Sequence, residues 1–286
     1  MEIIRIPKIM QATAKGHLVR GRTIGFVPTM GALHDGHLSL VRRARQENDL
    51  TAVSIFVNPI QFSPAEDFQG YPRDIEVDTG KLLKEQVDIL FMPDTKAMYP
   101  GGFLTHIEVE QISERLCGAF RPGHFRGVAT VVAKLFHIVL PKRAYFGQKD
   151  YQQTRVIKRM TRDLDMDIEI TVCPTVREKD GLAMSSRNAY LSAEQKRSAA
   201  VLFRCLSEAA ASLESGIIRV QDITRGMQQI LRDEPAITEV QYAGLFDPVT
   251  LGEIHEIGGD ALLAIAVKMG DTRLIDNMLV MMKKER

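Results

Sequence analysis

Three cysteines in 286 residues, Cys117, Cys173 and Cys205, are too few and too far apart for a disulfide framework, and without a CxxC pair they build no zinc ribbon. Buried thiols are the expectation for all three. An excess of either charge is missing as well. Lys plus Arg total 37 against 36 for Asp plus Glu, so the net charge of +1 gives no general attraction to nucleic acid or anionic lipid. Any phosphate site must therefore be local. No segment reaches about 18 uninterrupted apolar residues. The first residues, MEIIRIPKIMQATAKG, lack the basic flank and apolar core of a secretory leader. A cytoplasmic protein with no membrane and no nucleic-acid partner is expected. The Walker A loop and the GxGxxG fingerprint are absent as well, so a bound nucleotide would need another device.

What is present is a hydrophobic fraction of 45%, enough for one large domain or two ordinary ones. TIGFVPT (23–29) reads as a strand and LSLVRRARQEN (38–48) as a helix, with Leu38, Leu40, Val41 and Ala44 on one stripe. TAVSIFV (51–57) is a nearly continuous apolar run of the kind buried on both faces of a parallel sheet. A helix in DTGKLLKEQ, strands at 88–93 and 105–110, a buried helix over 127–141, a strand at 143–147, a helix in QQTRVIKRMTRDL and a strand at 167–173 follow. This alternation predicts a Rossmann-like, doubly wound parallel-sheet α/β domain over 1–176, with ligand at the carboxyl ends of the strands. Past the polar loop REKDGLAMSSRN the pattern changes. A capping box from Ser192 to Gln195 opens one long helix, a second lies near 220–233, and three strand-like runs close the chain. A smaller α+β domain over 177–286 is expected.

Several polar clusters are candidates for chemistry. HDGH (34–37) allows a metal site, a phosphate site or two ordinary turn histidines. A metal would need a third ligand, and no HExxH motif supplies one, since His255-Glu256 runs into Ile257 and two glycines. At a helix N-terminus, however, imidazoles add donors to unpaired N–H groups that already favour an anion, and Gly31 and Gly36 let backbone approach it closely. Lys149 in YFGQKDYQQ could set an ammonium against a phosphate, although a loop lysine is more often a surface charge. Ser185, Ser186 and Arg187 could satisfy phosphate oxygens or simply start a helix. Gln61 in NPIQF is a neutral two-sided hydrogen-bonding group. Arg121, His124 and Arg126 in RPGHFRGV could form a basic flap or a solvated turn. His137 reads as a satisfied core or interface histidine.

PTMGALHDGH, FVNPIQF, RPGHFRGV, FGQKDYQQ and LAMSSRN, in that order, resemble the pantothenate synthetase (pantoate–β-alanine ligase) family of the HIGH-motif nucleotidylyltransferase superfamily, and MGDTRLIDN (269–277) extends the resemblance. HxGH and SSR alone indicate only the superfamily; NPIQF and KDYQQ select the ligase. The resemblance implies ATP-dependent condensation of (R)-pantoate with β-alanine, with Mg²⁺, a homodimer and a C-terminal lid. It implies an ATP site of Met30, Gly31, Ala32, Leu33, His34, Asp35, Gly36, His37, Gly147, Gln148, Lys149, Asp150, Val176, Met184, Ser185, Ser186 and Arg187. His37, His34 and Lys149 carry the catalysis in this reading, with His37 the proton donor. Gln61 and Gln153 would hold pantoate, and Gln61 would also lie near β-alanine. No residue is assigned to a metal. Two alternatives stay open: a nucleotidylyltransferase that leaves a stable adenylylated product from a phosphate ester, and a nucleotide-binding module without chemistry.

Overall fold

The computed structural model describes residues 1–62, 68, 70–215 and 219–282. By contacts the chain divides into two units. The first comprises Met1–Ser113, Arg121–Gln148 and Gln153–Pro174; the second comprises Glu114–Phe120, Lys149–Gln152 and Thr175–Arg286.

The first unit is built on a six-stranded sheet in the order β1-β4-β3-β2-β5-β6. Its strands are β1 (Glu2–Ile4), β2 (Ile24–Thr29), β3 (Leu50–Ile55), β4 (Ile89–Phe91), β5 (Arg143–Gly147) and β6 (Glu169–Cys173). Every pairing is parallel. β3 is buried at all its positions, as its nearly continuous apolar run led one to expect, with Thr51 and Ser54 buried among the apolar residues. The helices are α1 (Pro7–Val19), α2 (Asp35–Glu47), α3 (Ile75–Lys84), α4 (Thr95–Met98), α6 (His124–Val139) and most of α7 (Tyr151–Asp163), while α5 (Cys117–Phe120) belongs to the second unit. The predicted stripe Leu38, Leu40, Val41 and Ala44 is the buried face of α2. From β2 the chain winds outward through β3 and β4, then returns to β2's other side with β5, so the topological switch point falls between β2 and β5. That crevice is where open α/β sheets bind ligands.

The second unit packs α8 (Ala193–Ser198), α9 (Val201–Glu214) and α10 (Val220–Arg232) with an antiparallel sheet of β7 (Glu239–Phe246), β8 (Ala261–Met269) and β9 (Thr272–Val280). Leu202, Leu206, Met227, Leu231, Leu263 and Ile265 lie in its core.

Three expectations need correction. THIEVE (105–110) is not a strand; Ile107 donates its N–H to Thr130 Oγ1 on α6 at 3.0 Å, so a helix side chain replaces a ladder partner. The long helix after Ser192 is broken at Ala199-Ala200. Bonds of the i→i+3 kind, Ala200 to Arg197 and Leu202 to Ala199, tighten the chain there and turn Val201, Leu202 and Cys205 into the core. His137 is exposed rather than in the core, which corrects that half of its reading alone, and it is satisfied within its own helix, its ring Nδ1 2.8 Å from the carbonyl of Ala133. The N-terminal α1 had no clear sequence signal because it buries only Met10 and Ala14.

Candidate functional site

β2 ends at Thr29, whose hydroxyl donates to Ser54 O at 2.7 Å and accepts from Gly31 N–H at 3.2 Å. The backbone then takes two successive left-handed residues, Gly31 at φ 88° and Ala32 at φ 51°. Glycine adopts that region freely; alanine does so at a cost. Asp78 on α3 compensates. Its carboxylate, almost fully buried, accepts from Ala32 N–H and Leu33 N–H at 2.8 Å each. A Cβ on Gly31 would stand 3.1 Å from Asp78 Oδ2, so the glycine also serves close approach. The sequence reading missed Asp78. The available signal was an acidic residue on the buried face of an otherwise amphipathic helix.

The loop delivers His34 to the N-cap of α2. Its Nδ1 accepts from Gly36 N–H at 3.1 Å, and His34 N–H points to His37 Nδ1 at 3.4 Å. The ring centroids are 4.1 Å apart. A histidine that accepts at Nδ1 while neutral carries its proton on Nε2. Both imidazoles are thereby fixed as Nε2–H donors at a helix N-terminus, where the dipole and the first-turn amides favour an anion. Asp35 and Gly36 form the first turn.

Gln61 closes the short 3₁₀ helix Pro59–Gln61 and is buried. Its Nε2 lies 3.2 Å from Met30 Sδ, its Oε1 accepts from Asn58 Nδ2 at 3.0 Å, and its backbone carbonyl meets His124 Nδ1 at 2.8 Å. Asn58 is held in turn by Gly127 O and by the hydroxyl of Tyr99, which donates to Asn58 Oδ1 at 2.7 Å. Burial pushes the Tyr99 phenol well above its ordinary range, which keeps it a donor. His124 opens α6 behind a left-handed Gly123, with Arg121 Nη1 3.0 Å from its Nε2, so the RPGHFRGV segment is a helix start packed on Gln61. Asn58 and Tyr99 are supporting residues whose importance was invisible without tertiary contacts, and His124, read from the sequence as part of a flap or a solvated turn, is a third such support. Gly147 and Gln148, at the carboxyl end of β5, and Gln153 on α7 also fall in this unit.

The remaining candidates lie in the second unit. Lys149, its side chain 18% exposed, sits 3.7 Å from Asp150. Met184 N–H donates to Val176 O at 3.0 Å. Ser185 caps the 3₁₀ helix Ser186–Tyr190 by accepting from Arg187 N–H at 3.3 Å, so the helix-start reading of SSR holds alongside any phosphate role. Asn188 Nδ2 anchors the turn on Glu178 and Ala183 O.

Among the described residues, no group of three His, Cys, Asp or Glu side chains is placed to hold a metal. No described helix is long and apolar enough to cross a membrane. All three cysteines are free and buried.

A doubly wound sheet with a glycine loop, paired imidazoles and a helix N-terminus at its switch point defines a nucleotide-binding α/β protein without a Walker loop. The family model described as pantoate-beta-alanine ligase matches residues 2–279. Pantothenate synthetase of Thermodesulfovibrio yellowstonii is 56% identical over 280 residues, covering 98% of this chain and all of the relative, and that of Caldicellulosiruptor bescii is 51% identical with 98% and 99% covered. The crystal structure of pantothenate synthetase from Thermus thermophilus matches with a TM-score of 0.92 at 44% identity, covering 97% of this chain and 99% of that one. The pantoate-beta-alanine ligase of Francisella tularensis, complexed with beta-gamma ATP and beta-alanine, matches with a TM-score of 0.80 at 37% identity over 98% and 97% of the two chains. The chain belongs to the pantoate-beta-alanine ligase family.

Proposed function

We propose that the protein condenses (R)-pantoate with β-alanine at the expense of ATP, through a pantoyl-adenylate. A pantoate carboxylate oxygen attacks the α-phosphorus of ATP, a P–O bond forms, and pyrophosphate leaves. The β-alanine amine then attacks the acyl carbon, loses a proton, and AMP departs with the former carboxylate oxygen. No protein nucleophile is needed, only donors that stabilise charge as it builds on the phosphates.

The observation that carries this reading is the pair of imidazoles locked by their Nδ1 atoms at the start of α2, beyond the left-handed Gly31-Ala32 step. His34 and His37 would donate from Nε2 to phosphate oxygens, with His37 the proton donor. The rest of the ATP site in this reading is Met30, Gly31, Ala32, Leu33, Asp35, Gly36, Gly147, Gln148, Lys149, Asp150, Val176, Met184, Ser185, Ser186 and Arg187. Gln61 and Gln153 would hold pantoate, and Gln61 would also approach β-alanine. Support for Gln61 comes from its burial and its fixed amide, held by Asn58 and placed against Met30.

Mg²⁺ belongs to this reading as the ion of the triphosphate, which it would neutralise when bound. Among the described residues no three His, Cys, Asp or Glu side chains cluster, so the ion would be held there chiefly by the phosphates and its own waters. Residues 177–286 would act as a lid over the ATP- and pantoate-binding domain 1–176, keeping the anhydride from water. A homodimer, which the resemblance implies, and a cytoplasmic location complete the reading, and sedimentation of the purified protein tests the former.

The deciding experiment is pantoate-dependent exchange of labelled pyrophosphate into ATP without β-alanine, followed by product analysis with it. Exchange, then AMP and an amide in equal amounts, is expected. A stable adenylylated product without free AMP would point instead to a nucleotidylyltransferase.

A further inference from the structure

MGDTRLIDN takes no part in the mechanism above, yet it places two buried polar residues side by side in the middle of β9, a strand whose other positions are mostly half-buried. Asp276 is 2% exposed and Asn277 is 5% exposed. They pair with Ile265 and Ala264 of β8, whose run from Ala261 to Val267 is aliphatic and buried. Burying such groups is costly unless each is satisfied, and well-packed apolar residues would serve stability at least as well. Their partners explain their presence.

Asp276 grips the guanidinium of Arg177 bidentately, Nη1 to Oδ2 at 2.6 Å and Nη2 to Oδ1 at 3.0 Å. Arg177 in turn donates to Gly181 O at 3.0 Å and lies over the Phe203 ring at 4.3 Å. It also forms a β-bridge with Ala183, next to Met184. Asp276 therefore holds the base of the loop that ends in Met184, Ser185, Ser186 and Arg187. Its neighbour faces the other way, as successive strand residues must. Asn277 Nδ2 donates to the carbonyl of Lys149 at 2.8 Å, while Asn277 N–H is turned toward Asp276 Oδ1 at 2.8 Å. One dipeptide thus fastens two segments, far apart in the chain, that both belong to the second unit.

We infer that Asp276 and Asn277 are positioning residues for the triphosphate, Asn277 fixing the backbone from which the Lys149 ammonium projects and Asp276 fixing, through Arg177, the loop that carries the SSR turn. Neither touches the nucleotide. The inference rests on the assignment of Lys149 to the ATP site, and the test separates the two.

Full-length Asn277→Ala, Lys149→Ala and the double variant are compared in pyrophosphate exchange, with KM determined separately for ATP and pantoate and thermal midpoints recorded. Asn277→Ala is expected to lower kcat/KM for ATP about tenfold or more, with KM for ATP raised and KM for pantoate within about twofold of the parent. The double variant should be no worse than Lys149→Ala, because a displaced lysine and an absent one are equivalent. A merely structural asparagine would lower kcat with the fraction folded and leave both KM values in place; that result, or additive losses in the double variant, overturns the inference. If the alanine variant does not fold, Asn277→Ser, which keeps a hydroxyl but shortens the reach to Lys149, carries the same comparison. Full activity in Lys149→Ala would remove the assignment of Lys149 itself, and the inference with it, whereas a crippled Lys149→Ala beside a normal Asn277→Ala refutes the positioning role alone.

Discussion

Replacing Asp78 by asparagine exchanges one carboxylate oxygen for an amide nitrogen at nearly constant volume, and it probes the loop on which the histidines depend. The carboxylate receives Ala32 N–H and Leu33 N–H at 2.8 Å each, and the site is almost fully buried. Hydrogen bonds to a charged group contribute about 1.5–3 kcal/mol each. Asparagine keeps one acceptor and turns an NH₂ group toward the other amide, so about 2–3 kcal/mol should be lost, and the donor left unpaired prevents recovery by repacking. For a protein of this size that lowers the thermal midpoint by about 4–10 °C. Part of the clamp's work is to hold Ala32 at φ 51°, a conformation that itself costs about 1–3 kcal/mol. With one bond gone, the loop should relax toward ordinary backbone angles and carry His34 and His37 with it. KM for ATP should therefore rise by about tenfold in protein that is still folded at the assay temperature. Calorimetry and steady-state kinetics on the same preparation check both numbers. An Asp78→Asn variant with the parent's midpoint and the parent's KM for ATP would refute the clamp.

His37→Ala removes a capping partner worth about 1 kcal/mol, but as a phosphate donor its loss should lower kcat about 10²–10³-fold; equal proportional losses in stability and turnover would return His37 to a structural role. Gly127→Ala would drive a Cβ into Ile60 O and to 2.6 Å from Gln61 Cα, backbone atoms that cannot step aside. A loss of about 1–3 kcal/mol and a raised KM for pantoate are expected, and unchanged pantoate kinetics would contradict the placement of Gln61. On the alkaline side, burial pushes the Tyr145 phenol and the Cys205 thiol each up to about 12. A raised folded-state pKa means that the contribution is complete below the unfolded values, about 10 for tyrosine and about 8.5 for cysteine, and is lost as pH climbs through about 12. The urea midpoint should accordingly fall between pH 9 and pH 12, and Tyr145→Phe should flatten part of that fall. A Tyr145→Phe curve parallel to the parent's would count against the assignment.

The elements legible in the sequence were those whose burial is dictated by their own pattern. β3 needed only its apolar run, α2 only its stripe, and α8 only Ser192 and Gln195, whose reciprocal capping bonds are formed. The misses share a cause. THIEVE alternates like a strand but has Thr130 of α6 where a ladder partner would be, and the helix after Ser192 breaks because the core draws Val201 and Leu202 inward. In the candidate site, HDGH and NPIQF stood out by residue type but stayed open in meaning until the order of the motifs gave the resemblance. Asp78, Asn58 and Tyr99 did not stand out, because a buried carboxylate, amide or phenol acquires a role only from the atoms that chain folding brings to it.

The sequence by itself determined the parallel α/β domain, the change of pattern after residue 177, and the family, because periodicity and motif order are properties of the chain alone. Tertiary structure decided the rest. Hydrogen bonds from Ala32 and Leu33 to Asp78, 46 and 45 positions away, set the left-handed loop before α2, and the contact between Asn277 and Lys149 spans 128. Such bonds depend on direction and distance to within fractions of an ångström, and no local pattern encodes them.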